Sequence, residues 1–174
     1  MQKLNIVLKE LTLYLRSKMK ANYNRHVSFG DLFSDRWETA KFLGFGDGTS
    51  CYNNVLVLGN VKVGKNTWIG PNVILDGSGG QLVIGDYCSI SAGVQIYTHD
   101  SVAWSTSLGV EPVVKADTII GNGVYIGPNT IVQKGVKIGD SAIVGAMSFV
   151  NKDIEQHSTV FGCPIKVRET KGDL

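Results

Sequence analysis

The stretch LVIGDYCSISAGVQIYTHD, residues 82–100, shows the six-residue pattern that decides the fold. Within it Ile84, Ile90 and Ile96 stand six positions apart. The pattern continues in both directions, and the thirteen aliphatic residues that follow it are Val57, Val63, Ile69, Leu75, Ile84, Ile90, Ile96, Ile120, Ile126, Val132, Ile138, Val144 and Val150. Two intervals break the period, the first between residues 75 and 84 and the second between residues 96 and 120.

Each hexad carries more than its aliphatic residue. In seven of the thirteen the next residue is glycine, and a small, β-branched or apolar residue usually precedes the aliphatic one by two positions. A period of six matches neither an α-helix nor a sandwich, which needs longer strands and varied turns. Two inward residues per hexad match the alternation of a strand, and a short fixed period is typical of a solenoid. The sequence therefore predicts stacked coils of very short strands, with glycine, Asn and Asp providing positive φ at the corners.

The composition narrows the class of protein. A chain of 174 residues, 43% of them hydrophobic, suits one domain with a real core. Seventeen Lys and Arg against fifteen Asp and Glu leave a net charge of +2, without the basic stripe of a nucleic-acid binder. Three cysteines without a CxxC spacing are expected to be reduced thiols. Basic residues interrupt every apolar run near the N-terminus, so we expect no signal peptide. Because no apolar run approaches the ~18 residues of a membrane span, we also expect no membrane span and a cytoplasmic location.

The first 40 residues follow a different pattern. Six apolar residues recur at helical spacing between residues 4 and 19, namely Leu4, Val7, Leu8, Leu11, Leu15 and Met19. They predict an amphipathic helix that packs on its own domain or on a neighbouring subunit, with membrane-surface binding as the alternative. Asp31, Ser34 or Asp35 is the expected cap of a second short helix. We therefore divide the chain into a helical segment, residues 1–40, and a repeat domain, residues 41–174, with a loop at 97–119 and a C-terminal tail.

Three motifs make the pattern specific, namely LVIGDYCSISAGVQIYTHD, TIIGNGVYIGPNTIVQKGVKIGDSAIVGAMSFVNKDI and FGCPIKVR. They resemble the hexapeptide-repeat acyltransferases, in particular the maltose and galactoside acetyltransferases and the nucleotide-amino-sugar N-acyltransferases. The resemblance covers residues 50–168 and implies an all-β fold, a left-handed parallel β-helix of three hexads per coil that assembles as a homotrimer. It further implies acetyl-CoA or another acyl-CoA as co-substrate, no metal, and a sugar or nucleotide-linked amino sugar of surface-polysaccharide biosynthesis as acceptor.

The two breaks in the repeat are the candidate places for chemistry, because loops that leave a rigid scaffold often carry function. The resemblance implies that His99, which follows the IYT segment, is the general base, and neutral imidazole suits that task near pH 7. The first break is either a flexible corner or brings Asp76 to the face from which the second break emerges. Asp76, Asp100, Trp104 and Glu111 are predicted to contact the acceptor.

Cofactor contacts also follow from the resemblance, since the chain lacks the spacing of a phosphate-binding P-loop. The residues at matching positions are Tyr125, Gly127, Ala146, Lys152, Lys166 and Arg168. The amide of Gly127 is, in addition, a candidate donor to the oxyanion of the reaction. Tyr125 stands where the sugar acetyltransferases often have Trp, and Cys163 stands where Asn is common.

Other functions remain open from the sequence. The acceptor could be a hydroxyl of a free sugar, an antibiotic or an amino acid such as serine. A zinc hydratase of the γ-carbonic anhydrase type needs three His ligands, but of His26, His99 and His157 the first precedes the repeat. A covalent route through Cys163 has no base fixed near the thiol. A non-catalytic scaffold would not need the long loop after Ile96.

Overall fold

The computed structural model describes residues 2–168, in which the hexads form short parallel strands. The helices are α1 (Gln2–Tyr23), α2 (Arg36–Phe42) and α3 (Val102–Thr106), with a 3₁₀ turn at Gly30–Leu32. The strands are β1 (Ser50–Cys51), β2 (Leu56–Val63), β3 (Trp68–Ile69), β4 (Ile74–Ile84), β5 (Ser89–Ile90), β6 (Gln95–Ile96), β7 (His99–Asp100), β8 (Val114–Lys115), β9 (Thr118–Ile120), β10 (Tyr125–Ile126), β11 (Ile131–Val132), β12 (Lys137–Ile138), β13 (Ile143–Val144), β14 (Phe149–Val150), β15 (Thr159–Phe161) and β16 (Lys166–Val167). The predicted tail from residue 169 onward lies outside the described residues.

The strands form three faces of a parallel β-helix. The first face runs β1-β3-β5-β10-β13-β15, and β16 closes it antiparallel to β15. β2 and β4 each turn a corner, so their first halves belong to the second face, with β6, β11 and β14, and their second halves to the third, with β9 and β12. Ile69, Ile90, Ile126 and Val144 lie in register on the first face. The predicted solenoid is confirmed.

The hexad aliphatic residues form one continuous core. Twelve of the thirteen are buried, and Val57 in the first coil is partly buried against them. Inward polar residues are satisfied by the backbone of neighbouring coils, as where the Thr67 hydroxyl donates to the Gly85 carbonyl at 2.9 Å. Buried hydroxyls with such partners cost little, so Thr can alternate with aliphatic residues inside the coil.

The glycine after each aliphatic residue has a different role from the predicted one. Gly127 does not have positive φ, but a Cβ there would lie 2.5 Å from the Ala146 nitrogen in the next coil. Only glycine allows two backbones to approach this closely. The positive φ falls two residues later, at Asn129 (57°). The other six hexads with glycine show the same offset, with positive φ at Asn66, Asn72, Tyr87, Gly123, Ser141 and Met147.

The helical segment confirms one prediction and leaves another open. α2 begins after Asp35, whose carboxylate accepts the N–H groups of Trp37 and Glu38 as the predicted cap, and it packs against β1 with Ala40 fully buried. α1 forms as predicted, but none of its residues is buried and Leu4 is 61% exposed. Apart from the part-buried Leu15 and Met19, its apolar stripe is not covered by its own domain, and packing on a neighbouring subunit stays a prediction. Although α1 has 22 residues, no helix within residues 2–168 is both long and apolar enough to cross a bilayer.

Candidate active site

Both breaks in the repeat lie at one corner of the solenoid, between the second and third faces. The first is a short insertion within β4, and the second is the loop over residues 97–117 that leaves the next coil. The register pairs Leu75 with Ile96 before the corner and Leu82 with Thr118 after it, so the insertion and the loop are stacked. This confirms that Asp76 lies on the face from which the long loop emerges.

The insertion is held in place by Thr98, which is fully buried. The Thr98 hydroxyl accepts the amides of Gly79 and Gly80 at 3.0 and 3.1 Å and donates to the Asp76 carbonyl at 2.8 Å. A Cβ on Gly79 would lie 2.4 Å from the His99 Cβ, so glycine makes the room that the histidine occupies. These contacts favour the other alternative, in which the insertion brings Asp76 to the corner of His99.

His99 faces a buried carboxylate. Its Nδ1 lies 3.4 Å from Asp76 Oδ2 and 3.4 Å from Ser78 Oγ. Asp76 Oδ1 accepts both the Ser78 amide, at 2.9 Å, and the Ser78 hydroxyl, at 2.5 Å. The Asp76 side chain is only 5% exposed, against 34% for His99. The Asp76 carboxylate is thus engaged with Ser78 and His99, and its predicted contact with the acceptor stays a prediction.

The network assigns the tautomer of His99. Both groups that face Nδ1 are acceptors, since Asp76 is a carboxylate and the Ser78 hydroxyl hydrogen already points to Asp76. Nδ1 therefore carries the hydrogen and Nε2 keeps its lone pair. A neutral imidazole with this tautomer, backed by a carboxylate, is arranged to remove a proton at Nε2 and to be stabilised as an imidazolium.

Asp100, the residue after His99, pairs with a lysine that the sequence did not single out. Lys134 Nζ lies 2.6 Å from Asp100 Oδ2, and Asp100 Oδ1 accepts the Val102 amide at 3.1 Å. The Lys134 hydrogen bond, followed by that of the Val102 amide, lowers the pKa of Asp100 from its ordinary value. Its carboxylate is thus engaged within the chain, and its predicted contact with an acceptor stays a prediction.

The other two predicted acceptor contacts lie farther out on the loop. Trp104 is in α3 with 49% of its surface exposed. Glu111 is exposed too, and its amide donates to the Ser107 hydroxyl at 2.8 Å. Both side chains are free to contact a ligand, and their assignment stays a prediction.

The predicted cofactor residues are distributed over two corners of the solenoid and its closing strand. Tyr125 is 42% exposed on the first face, while Gly127 and Ala146 stack at the corner between the first and second faces. Lys152 is exposed at the corner of His99, two coils along. Lys166 lies in β16 and Arg168 just after it, both exposed.

The backbone amides at the first of these corners correct one role. The Gly127 amide donates to the Val144 carbonyl at 2.8 Å, so it is not a free donor and its predicted role at the oxyanion is wrong in this structure. Within residues 2–168, the Ala146 amide has no hydrogen-bond acceptor of its own. That amide is a suitable donor to an amide carbonyl of a bound cofactor.

The remaining titratable groups do not form a second centre. Within the part of the chain that the structure describes, no three His, Cys, Asp or Glu side chains come together as metal ligands. Cys51 and Cys88 are buried, and burial raises the pKa of the Cys51 thiol to about 12. Cys163 is exposed but follows β15 on the first face, whereas His99 lies at the opposite corner. This topology separates Cys163 from His99.

Sequence reasoning missed three residues of this site, Ser78, Thr98 and Lys134. Ser78 and Thr98 had a usable signal, because each lies within two residues of Asp76 or His99 and stacking in register brings the two breaks together. Lys134 had none, since it belongs to a regular hexad corner and its partner comes from the loop of the preceding coil.

Two family models match the repeat region. Residues 117–152 match the bacterial transferase hexapeptide of six repeats, and residues 60–98 match the hexapeptide repeat of succinyl-transferase. Each match covers less than half of the chain, and both agree with the resemblance seen in the sequence.

The chain is also similar to curated acetyltransferases. The chain is 34% identical over 106 residues to a chloramphenicol acetyltransferase of Klebsiella aerogenes and 32% identical over 106 residues to one of Escherichia coli, each match covering 49% of this chain and 50% of the relative. The chain thus spans about half the length of the curated relatives it matches.

Three solved structures share the fold. AntD, an N-acyltransferase of Bacillus cereus in complex with dTDP and 3-hydroxybutyryl-CoA, superposes with a TM-score of 0.60 at 19% identity, covering 78% of this chain and 89% of AntD. A hexapeptide-repeat acetyltransferase of Vibrio cholerae with acetyl coenzyme A gives 0.58 at 21% identity, covering 95% and 89%. A galactoside acetyltransferase with coenzyme A gives 0.53 at 23% identity, covering 93% and 81%.

Proposed function

We propose that this chain transfers an acetyl or similar acyl group from an acyl-CoA to an amino or hydroxyl group of a sugar, with His99 as general base. The acceptor we favour is a nucleotide-linked amino sugar of surface-polysaccharide biosynthesis. One observation carries the proposal. His99 Nδ1 faces the buried Asp76 carboxylate, so that Nε2 is available to a substrate at the partly exposed base of the loop over residues 97–117. The class of donor is supported by the three structural neighbours, all of which were solved with a coenzyme A species.

His99 and Asp76 account for the transfer of the acceptor's proton. The acceptor hydroxyl or amine attacks the thioester carbonyl carbon while His99 Nε2 takes its proton, and Asp76 stabilises the imidazolium that forms. The tetrahedral intermediate then collapses with cleavage of the carbon–sulfur bond, and the proton passes from Nε2 to the departing thiolate. The thiol of CoA and the acylated acceptor are the products, and His99 returns to its neutral state.

Two acceptors have specific support. A variant of AntD was solved with dTDP-4-amino-4,6-dideoxyglucose and coenzyme A, which supports the nucleotide-linked amino sugar. The curated relatives are chloramphenicol acetyltransferases, which supports an antibiotic hydroxyl as the second candidate. The Asp76–His99 arrangement is compatible with both acceptors. A hydroxyl must lose its proton as it attacks, so it depends on a general base more than a neutral amine does.

We further propose that the chain works as a homotrimer in the cytoplasm, where acyl-CoA is made, with the site of His99 at a subunit interface. The outward side chains of the second face support an interface, since Leu56 is 49% and Ile131 is 38% exposed. Larger exposed apolar patches mark association surfaces. Sedimentation equilibrium of the active protein tests this part, and a stable monomer with full activity would overturn it.

The experiment that tests the function is thiol release from acetyl-CoA with a panel of acceptors. The panel contains nucleotide-linked amino sugars, free hydroxyl sugars and chloramphenicol. Release with the amino sugars supports the favoured acceptor, and release with chloramphenicol alone supports the second candidate. Silence with the whole panel, repeated with longer acyl-CoA donors, would contradict the proposed function.

A further inference from the structure

Lys134 is a lysine with an unusual environment. Its side chain is only 15% exposed, and its Nζ lies 2.6 Å from Asp100 Oδ2. Lysines almost always keep the ammonium group in water, so one that is largely covered needs a defined anionic partner. The Asp100–Lys134 pair provides that partner and joins two neighbouring coils of the solenoid.

Asp100 is held from three directions. Its Oδ1 accepts the Val102 amide at 3.1 Å where α3 begins, and its backbone pairs with Val114 in the β7–β8 hairpin. Its other oxygen contacts Lys134, which stands at the corner of the following coil. One carboxylate thus connects the outgoing strand of the loop, the first turn of α3 and the rigid body of the solenoid.

His99 lies in the same two-residue strand as Asp100 and pairs with Lys115 across the hairpin. Movement of this hairpin would carry His99 Nδ1 away from Asp76 Oδ2, from which it is separated by 3.4 Å. Thr98 ties the strand to the coil below through the Asp76 carbonyl, while Lys134 ties it to the coil above. The base of the loop is therefore fastened on both sides.

We propose that Lys134 is a positioning residue, whose ion pair with Asp100 holds the loop over residues 97–117 where His99 faces Asp76. The inference rests on the proposed function, in which His99 is the base. It assigns Lys134 no contact with substrate. Because ion pairs near the surface add little to global stability, loss of the pair affects the position of the loop far more than unfolding of the solenoid.

The test compares Lys134→Met, which keeps the length of the side chain and removes the charge, with Lys134→Arg, which keeps the charge. Lys137→Met is the matched control, since Lys137 is an exposed lysine of the same coil. In the thiol-release assay we expect Lys134→Met to lower kcat by roughly 10–100-fold, as a small misplacement of a base does, with KM for acyl-CoA within about twofold. Lys134→Arg should recover most of kcat, and Lys137→Met should match the wild type.

A double variant tests whether the two residues act as one unit. If Lys134 acts through Asp100, Lys134→Met combined with Asp100→Asn lowers kcat no further than Lys134→Met alone. Additive losses would overturn the pairwise role. A Lys134→Met variant with unchanged kcat would overturn the proposal, and so would one with only a raised KM for acyl-CoA, which would make Lys134 a cofactor contact.

Hydrogen exchange separates this inference from the proposed function. The amides of Val102, bonded to Asp100, and of Ala116, bonded to Thr98, report on the base of the loop. We expect faster exchange at both in Lys134→Met and not in Lys137→Met, whether or not an acceptor has been found. Unchanged exchange would overturn the positioning role, while full activity of His99→Ala in parallel would overturn the proposed base and leave the exchange result standing.

Discussion

In the structure His99 Nδ1 faces a hydrogen-bond acceptor, the Asp76 carboxylate. Replacing Asp76 by asparagine should place a donor there instead. The two carboxylate oxygens have separate partners, because Oδ1 accepts both donors of Ser78 while Oδ2 faces His99 Nδ1 at 3.4 Å. In Asp76→Asn the amide oxygen must stay opposite the two Ser78 donors, so the NH₂ group faces Nδ1. The NH₂ group donates a hydrogen bond, so Nδ1 must accept it. The imidazole is therefore expected to change to the tautomer that carries its hydrogen on Nε2.

The size of the effect follows from the loss of the base. With a hydrogen on Nε2 the ring cannot remove the proton of the acceptor, and general-base catalysis contributes ~10²–10⁴-fold. We expect kcat to fall by about 10²–10³-fold, which corresponds to roughly 3–4 kcal/mol of transition-state stabilisation. KM for acyl-CoA should change little, because Asp76 is buried and contacts His99 and Ser78.

The assay is thiol release at saturating acyl-CoA, with circular dichroism as the check on folding. Asp140→Asn is the matched control, since the Asp140 carboxylate accepts the Asn122 amide at 2.7 Å at a different corner. Ser78→Ala is the second variant and should lower kcat by less than Asp76→Asn, because the carboxylate stays opposite Nδ1. A folded Asp76→Asn protein with kcat within about threefold of wild type would refute the tautomer argument.

Four further predictions concern the solenoid and its thiols. Gly127→Ala should lower the free energy of unfolding by about 1–3 kcal/mol, since the added Cβ meets the next coil, and an unchanged melting temperature would contradict the close approach. Ile126→Ala, at a fully buried site, should cost about 2–5 kcal/mol in denaturant unfolding, and a cost below ~1 kcal/mol would contradict the continuous core. In the native protein Cys163 should react quickly with a thiol reagent while buried Cys51 and Cys88 stay protected until denaturant is added. Because the pKa of Cys51 is raised from 9.0 to about 12, the stabilisation that its neutral thiol provides is full below pH 9 and is lost as pH rises toward 12, which a Cys51→Ala variant should not show.

The six-residue spacing and the strand alternation predicted a solenoid with like residues stacked on like, while the three hexads per coil followed from the family resemblance. The sequence could not reveal why glycine follows seven of these aliphatic residues. A glycine required by positive φ and one required by close approach look the same in a sequence, and at Gly127 the second reason holds. The stripe on α1 was equally visible as a pattern, but a pattern does not say which surface covers it.

The candidate site also combines features that the sequence predicted with features that it could not predict. Stacking in register predicted that Asp76 and His99 share a corner, since both follow strands of the second face. Lys134 acts through side-chain geometry across coils, which spacing does not encode. Asp76 was predicted as an acceptor contact from its place on the face of the long loop, and spacing could not show that its side chain is buried beside His99.

The central claim is that His99 is the base of an acyl-CoA-dependent transferase. Its most direct test is the rate of thiol release by His99→Ala beside the wild type, with the acceptor that gives the highest turnover in the panel. The account predicts a folded variant whose kcat is lower by ~10²–10⁴-fold, with KM for acyl-CoA nearly unchanged. A folded His99→Ala protein that turns over as fast as the wild type would contradict it.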